Sequence, residues 1–217
     1  MEECISVFDM LKIGVGPSSS HTLGPWRAAE RFLEELRQDF DLNSITRVKV
    51  DLYGSLSLTG KGHATDLAVM LGLSGQDPEY IPVQDIDGII KAIENNHLIQ
   101  LGNEKALPFY ILQDIVFHKE FLPFHANGLT FTAFFENETE YASTFYSIGG
   151  GFVVKEERSN AKKKIAIKCA FPFPINNAAE LLDYTQKENK SISEIVYANE
   201  ISMRPEAEVH SELLRIW

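Results

Sequence analysis

Two turns, each setting a histidine among hydroxyls or glycines, stand directly ahead of apolar helical patterns and fix where two helices of this chain must begin. The first is Gly16-Pro17-Ser18-Ser19-Ser20-His21-Thr22 and the second is Gly60-Lys61-Gly62-His63-Ala64-Thr65-Asp66. Free backbone N–H groups and the helix dipole favour an anion at such a junction. Two of them on one small domain point to a site for a small carboxylate or phosphate compound. After the first turn, Trp26, Ala29, Phe32, Leu33 and Leu36 recur at helical spacing, which predicts a helix over 25–38. The serines and Thr22 are available as caps, and Pro25 suits the first turn. The second turn predicts a helix over 64–73, closed by Gly72 and Gly75.

Between and beyond these helices the period changes. Val48, Val50 and Leu52 alternate with Arg47, Lys49 and Asp51, a half-buried strand over 47–54. Ile86, Ile89, Ile90 and Ile93 share one face of a third helix over 85–96. The middle of the chain is rich in aromatic and β-branched residues, which predicts strands over 111–118, 129–135 and 141–148. The last two read as a hairpin around the polar loop 136–140. Gly149-Gly150-Gly151 ends the final strand, either as a bend or as a point of close backbone approach. The pattern then turns helical over 178–187 and 192–199, with Ser191 and Glu194 set as a capping box. Residues 205–217 form an amphipathic stripe of Val209, Leu213, Leu214 and Trp217, read as part of a longer protein or as a short docked terminal helix. Strands and helices partly segregated in this way give an α+β fold, a mixed or antiparallel sheet with helices packed mainly on one face, rather than a doubly wound parallel sheet.

Composition narrows the function classes. With 217 residues, 44% hydrophobic and 24% charged, the chain holds one or two globular domains with a proper core. A formal charge of −11 and a pI near 5.0 argue against nucleic acid as a partner, and Lys162-Lys163-Lys164 reads as a solvated loop. No apolar run approaches the roughly 20 residues of a membrane helix, and the N-terminus lacks the pattern of a signal peptide, so no membrane partner and a cytoplasmic location are expected. Cys4 and Cys169 are the only cysteines and lack metal-finger spacing. They are read as unpaired thiols, with Cys169 beside an Ile165-Ala166-Ile167 strand, and two cysteines cannot hold a four-cysteine cluster. No metal site is expected within this chain.

Five segments carry a resemblance: Ser6-Val7-Phe8-Asp9; Gly14-Val15-Gly16 through Thr22; Leu52-Tyr53-Gly54-Ser55-Leu56 with Leu58-Thr59-Gly60-Lys61-Gly62-His63; Leu122-Pro123-Phe124-His125 with Asn127-Gly128; and Tyr146-Ser147-Ile148-Gly149-Gly150-Gly151-Phe152. In order and spacing they resemble the N-terminal β domain of the iron–sulfur-dependent bacterial L-serine dehydratases. The resemblance implies a β domain over 1–203 and, over 204–217, the start of a connection to a second, α domain that lies outside this sequence. It implies elimination of water from L-serine, giving an aminoacrylate that hydrolyses to pyruvate and ammonia. It also implies a [4Fe-4S] cluster in the complete enzyme, with its cysteine ligands in the α domain, an oligomer, and no activity for this chain alone. Serine's hydroxide is a poor leaving group and its α-proton is weakly acidic, so an enzyme without pyridoxal phosphate needs a Lewis acid on the oxygens and a base near the α-carbon.

His63, on a glycine-flanked turn and with an ordinary pKa near 6.5, is the first candidate for that base; the alternative is a histidine capping its own backbone. Ser18, Ser19, Ser20, His21 and Thr22 read as a carboxylate cradle, or as a plain capping run. Lys61 and Gly62 are further candidates for substrate binding. Lys61 also leaves open a Schiff base to pyridoxal phosphate, although the chain has none of the wider layout of that class. The resemblance makes His125 a candidate second proton-transfer group, while its Pro-Phe-His-Ala-Asn-Gly setting alone reads as structural. Asn127 and Gly128 read as turn residues without a chemical role, and His97, His118 and His210 as surface or packing residues. Gly14-Val15-Gly16 lacks the third glycine of a dinucleotide fingerprint. The β domain of this family is similar to a regulatory substrate-binding domain of some phosphoglycerate dehydrogenases, so a regulatory L-serine-binding and assembly domain is the alternative function.

Overall fold

A computed structural model describes residues 5–156 and 171–217. The cysteines, the lysine run and the expected strand at 165–167 lie outside the described residues. In chain order the elements are α1 (Val7–Met10), α2 (Gly24–Asp39), β1 (Ile45–Leu52), α3 (Gly54–Leu58), α4 (Thr65–Leu73), α5 (Val83–Asn96), β2 (Leu98–Leu101), β3 (Lys105–Pro108), α6 (Ile111–Asp114), β4 (Ile115–Phe117), β5 (Gly128–Phe135), β6 (Glu140–Gly149), β7 (Phe152–Lys155), α7 (Ala178–Glu188), α8 (Ile192–Met203) and α9 (Glu206–Ile216). They divide into two compact units, one of residues 13–159 and one of residues 1–12 with 160–217.

The larger unit is built on a five-stranded sheet in the order β4-β1-β5-β6-β7, with β1 parallel to β4 and the other pairs antiparallel. This is the expected α+β class with a mixed sheet. Val48, Val50 and Leu52 point into the core with Phe131 and Phe145 from β5 and β6. There they meet the apolar stripe of α2, where Trp26, Phe32 and Leu36 are at most 1% exposed. Phe32 stacks on Phe131 at 5.2 Å between ring centroids, a contact that adds on the order of 1 kcal/mol to the burial itself. Gly72 does not close α4, as the sequence suggested, but lies inside it. A Cβ there would come within 2.7 Å of the Trp26 carbonyl and of the Ala29 side chain, so the missing side chain lets α4 approach α2. Gly75, at φ +74°, supplies the turn beyond the helix.

Three strands were not legible as such: the β2–β3 hairpin and β7, each four residues long. The expected strand at 111–118 divides into one helical turn, α6, and the short β4. The Asp114 carboxylate accepts from the Tyr110 backbone N–H at 2.7 Å and from Arg47 at 2.7 Å, closing the turn before the strand can start. Gly149, Gly150 and Gly151 all have positive φ and carry the chain from β6 into β7. Asp51 is buried on its strand because it receives Lys49 at 2.7 Å and His118 at 2.6 Å. His118 is therefore a partner within the sheet rather than a surface residue, and Tyr53 stacks on its ring.

In the smaller unit, Ser6 caps α1 in a reciprocal box with Asp9, and Ser191 caps α8 in the expected box with Glu194. Glu200 of α8 is 2% exposed. Its carboxylate accepts from the Ser6 hydroxyl and the Val7 N–H, both at 2.7 Å, and from Arg204 at 2.9 Å. A buried carboxylate with three donors is a satisfied one. Of the C-terminal stripe, Val209 is buried, whereas Leu214 and Trp217 are exposed.

Candidate functional site

The serine turn leaves Ser18 in an extended conformation and then winds through one π-helical turn, Ser19–Leu23, into α2. Ser18 caps this turn, its hydroxyl accepting from the His21 N–H at 3.2 Å. The Ser19 carbonyl accepts from Gly24 N–H. His21 is held at both ring nitrogens, Nδ1 to the Ser20 hydroxyl and Nε2 to the Ser55 hydroxyl, each at 2.9 Å. Ser55 belongs to α3, so the contact joins two segments 34 residues apart in sequence.

The second turn is a short 3-10 turn, Gly60–His63, followed by Ala64 in the left-handed region at φ +55°. Its histidine lies beside the first, with ring centroids 5.0 Å apart. The two turns clasp each other through threonines. Thr22 donates to the His63 carbonyl at 2.7 Å, and Thr65 donates to the His21 carbonyl at 2.6 Å. Both threonines are buried, at 2% and 0% exposure, so neither backbone carbonyl is left without a donor. The Thr22 hydroxyl thus serves the joint between the turns.

The proton on His63 follows from its partner. Nδ1 lies 3.0 Å from the Thr59 carbonyl oxygen, and a carbonyl only accepts, so the neutral ring carries its hydrogen on Nδ1 and its lone pair on Nε2. The pKa of His21 is lowered from its ordinary value, first by burial and then by the neighbouring His63, with the hydrogen bond to Ser55 working the other way. At neutral pH the pair is therefore held with His21 uncharged.

Beside His63 is an open cavity of about 490 Å³ lined among others by Thr59, Lys61, Gly62 and Phe117. The Lys61 ammonium stands 5.5 Å from the Phe117 ring centroid. The Gly62 N–H is bonded to the Thr59 carbonyl at 3.1 Å, and a Cβ at Gly62 would meet nothing within 4 Å. This glycine keeps the cavity wall low rather than offering its amide.

His125 lies on the segment between β4 and β5, which backbone bonds lay against residues 53–55. Gly54 N–H donates to Glu120 O at 2.8 Å, Ser55 N–H to Ala126 O at 2.9 Å, and Tyr53 N–H to Gly128 O at 2.9 Å. Gly54 sits at φ +53°, where a Cβ would be 2.4 Å from the Ala126 carbonyl, so only glycine allows this seam. The His125 Nδ1 accepts from the Asn127 N–H at 3.1 Å, which places the hydrogen of the neutral ring on Nε2.

The structure thus brings His21, His63, Ser18, Ser20 and Thr22 into one cluster, sets Lys61 and Gly62 at the cavity beside His63, and joins the His125 turn to the Ser55 segment. Ser19 is exposed on the same turn. Sequence reasoning missed Ser55, Thr59, Thr65, Asn127 and Ser147. The available signal was that Ser55, Thr59, Asn127 and Ser147 fall within the family-like motifs, with Thr65 just past one of them. Among the described residues no group of three or more His, Cys, Asp or Glu side chains could hold a metal ion, so these residues do not fit a cluster site.

Residues 6–158 match a family model described as serine dehydratase beta chain. The chain is 39% identical over 215 residues to an L-serine dehydratase of Haemophilus influenzae, covering 98% of this chain and 47% of that one. It is 40% identical over 214 residues to L-serine dehydratase 1 of Escherichia coli, with the same coverage of each. It is 41% identical over 215 residues to an L-serine dehydratase of Streptomyces coelicolor, again covering 98% and 47%. The chain spans about half the length of these relatives.

Proposed function

Because the chain belongs to the serine dehydratase beta-chain family, we propose that it is the β half of an L-serine dehydratase, supplying acid–base and substrate-orienting groups to a site completed by an α half. The relatives are about twice as long as this chain, which supports a second half, and residues 204–217 are assigned to the connection toward it. The [4Fe-4S] cluster that the family resemblance implies is assigned to that half, and no step below runs through it.

One observation carries the reading. His63, with Nδ1 donating to Thr59, offers Nε2 as a lone-pair nitrogen next to a cavity that also presents a lysine. A neutral imidazole with a free ring nitrogen is suited to take the α-proton of L-serine. Lys61 is the counter-charge for the substrate carboxylate, with Ser19 and Ser20 as further donors. The Ser18 hydroxyl accepts from His21 N–H and keeps its own hydrogen for the substrate, whereas Thr22 acts through the shape of the turn, since its hydroxyl already donates to the His63 carbonyl. His21 stays uncharged beside the base, so it does not oppose the charge His63 gains. His125, with its hydrogen on Nε2, is the second proton-transfer group. Loss of the α-proton and of the β-hydroxyl as water leaves 2-aminoacrylate, which hydrolyses to pyruvate and ammonia.

The test is pyruvate release from L-serine by the α-partnered enzyme, reconstituted anaerobically with iron and sulfide. His63→Ala is expected to lower kcat by at least about 100-fold, the range of a general base. A loss under about tenfold, with a change mainly in sigmoidicity or in serine affinity, would overturn the catalytic assignment in favour of a regulatory serine-binding domain.

A further inference from the structure

Asn127 and Ser147 link the His21 turn to the His125 turn and make contacts that a plain β-turn does not require. Ser147 of β6 is 0% exposed and Asn127 is 9% exposed. They are joined twice, by Ser147 N–H to the Asn127 carbonyl at 3.0 Å and by the Asn127 side-chain Nδ2 to the Ser147 carbonyl at 3.0 Å. From this joint one arm reaches each turn. The Ser147 hydroxyl donates to the Ser20 carbonyl at 2.7 Å, and Ser20 is the residue whose hydroxyl meets His21 Nδ1. On the other side the Asn127 N–H donates to His125 Nδ1. The fit at the first arm is close: a Cβ on Gly24 would lie 1.9 Å from the Ser147 hydroxyl oxygen, so α2 meets β6 there only because residue 24 is glycine.

Resting on the dehydratase reading above, we propose that Asn127 and Ser147 form a positioning bridge. It sets the His125 turn at a fixed place relative to the His21–His63 pair and fixes His125 as the Nε2–H tautomer. His63, through Thr59, then presents a bare Nε2, and His125, through Asn127, presents a protonated one. The two rings are preset to opposite proton roles by backbone groups alone. A buried amide pinned by its own side chain does this without any charge, so the setting persists across the pH range in which both rings are neutral. Misplacing an acid–base group by about 1 Å costs roughly 100-fold in rate, which makes such a bridge a determinant of kcat rather than of substrate affinity.

Histidine-ring 15N spectra of the 217-residue chain, recorded above the ring pKa, test the bridge without turnover. The wild type is expected to show His125 as Nε2–H. Asn127→Asp is close in shape but cannot donate to the Ser147 carbonyl, and it should give a mixture of the two tautomers at His125 with the β5 and β6 amide shifts retained. Ser147→Ala keeps the backbone joint and should shift the His21 ring signals while leaving the His125 tautomer unchanged. In the α-partnered enzyme, Asn127→Asp should lower kcat at least about tenfold with KM within about twofold. A wild-type His125 carrying its proton on Nδ1, or a tautomer indifferent to Asn127→Asp, would overturn the bridge, as would an unchanged kcat. A wild-type enzyme that releases no pyruvate would instead remove the dehydratase reading, while the ring spectra would still decide the tautomer.

Discussion

At the scale of single residues, the histidines of the site differ because their partners differ. His63 and His125 each have one ring nitrogen fixed by a backbone group, a carbonyl in one case and an N–H in the other. His21 meets two hydroxyls, which can donate or accept, and burial beside His63 lowers its pKa. That shift has a consequence for stability. The unfolded chain protonates His21 near 6.5 while the folded chain resists, so this contribution is full above about pH 6.5 and is lost as pH falls through the depressed folded value. Urea unfolding midpoints measured from pH 7.5 down to 5 should fall more steeply for the wild type than for His21→Gln; parallel curves would show that His21 carries none of the dependence. The histidines themselves were legible in the sequence, since a histidine on a glycine or serine turn before a helix is a local pattern. Their partners were not. Ser55 lies 34 residues from His21, and Ser147 lies 127 residues from the carbonyl it holds.

At the scale of elements, two glycines set how closely neighbours approach. Gly54→Ala is expected to cost about 3 kcal/mol, combining a left-handed backbone with a contact on the Ala126 carbonyl. It should loosen the seam to the His125 segment as well, read as a lower urea midpoint with an unchanged slope. Gly72→Ala wedges α4 away from α2 and should cost about 1–3 kcal/mol by the same measurement. The long periodic helices were read correctly to within a few residues, as 25–38 against Gly24–Asp39 and 85–96 against Val83–Asn96. Amphipathic period over three or more turns is a strong signal. The four-residue strands and the α6 turn were missed or merged, because a stretch that short satisfies either period and its state is chosen by partners such as Asp114 and Arg47. The hairpin was placed, though its turn is tighter than the expected five-residue loop, with Phe135 N–H bonded to the Thr139 carbonyl at 3.0 Å.

At the scale of the whole molecule, a single run of chain, 13–159, makes one unit, and the segments on either side of it make the other. The smaller unit is held across that separation by Glu200, whose carboxylate takes two donors from residues 6 and 7. Glu200→Ala removes the acceptor for the Ser6 hydroxyl, the Val7 N–H and the Arg204 guanidinium together. Hydrogen exchange should then show at least about tenfold less protection at the α1 amides, with protection in β1 and β5 retained. Unchanged exchange at α1 would show that its own capping box is sufficient. The family matched across 6–158 lies almost wholly in the larger unit, which is also where the histidine turns, the cavity and the Asn127–Ser147 joint are found.

The sequence by itself determined where the long helices start, the alternation of the central strands, the α+β class, and the family, through motifs whose order and spacing leave little room for chance. These are local properties, written in runs of a few to about fifteen residues. Only the tertiary structure decided which nitrogen of His63 and of His125 carries its proton, which hydroxyls of the serine turn remain available to a ligand, and that Gly72 is a contact point rather than a cap. The Gly72 contact is a close approach between segments far apart in the chain, and the two ring protons depend on partners four and two residues away that only the folded turns bring within reach. Such pairings are fixed by how the sheet and helices pack, because a buried polar group takes whatever partner the fold brings within reach.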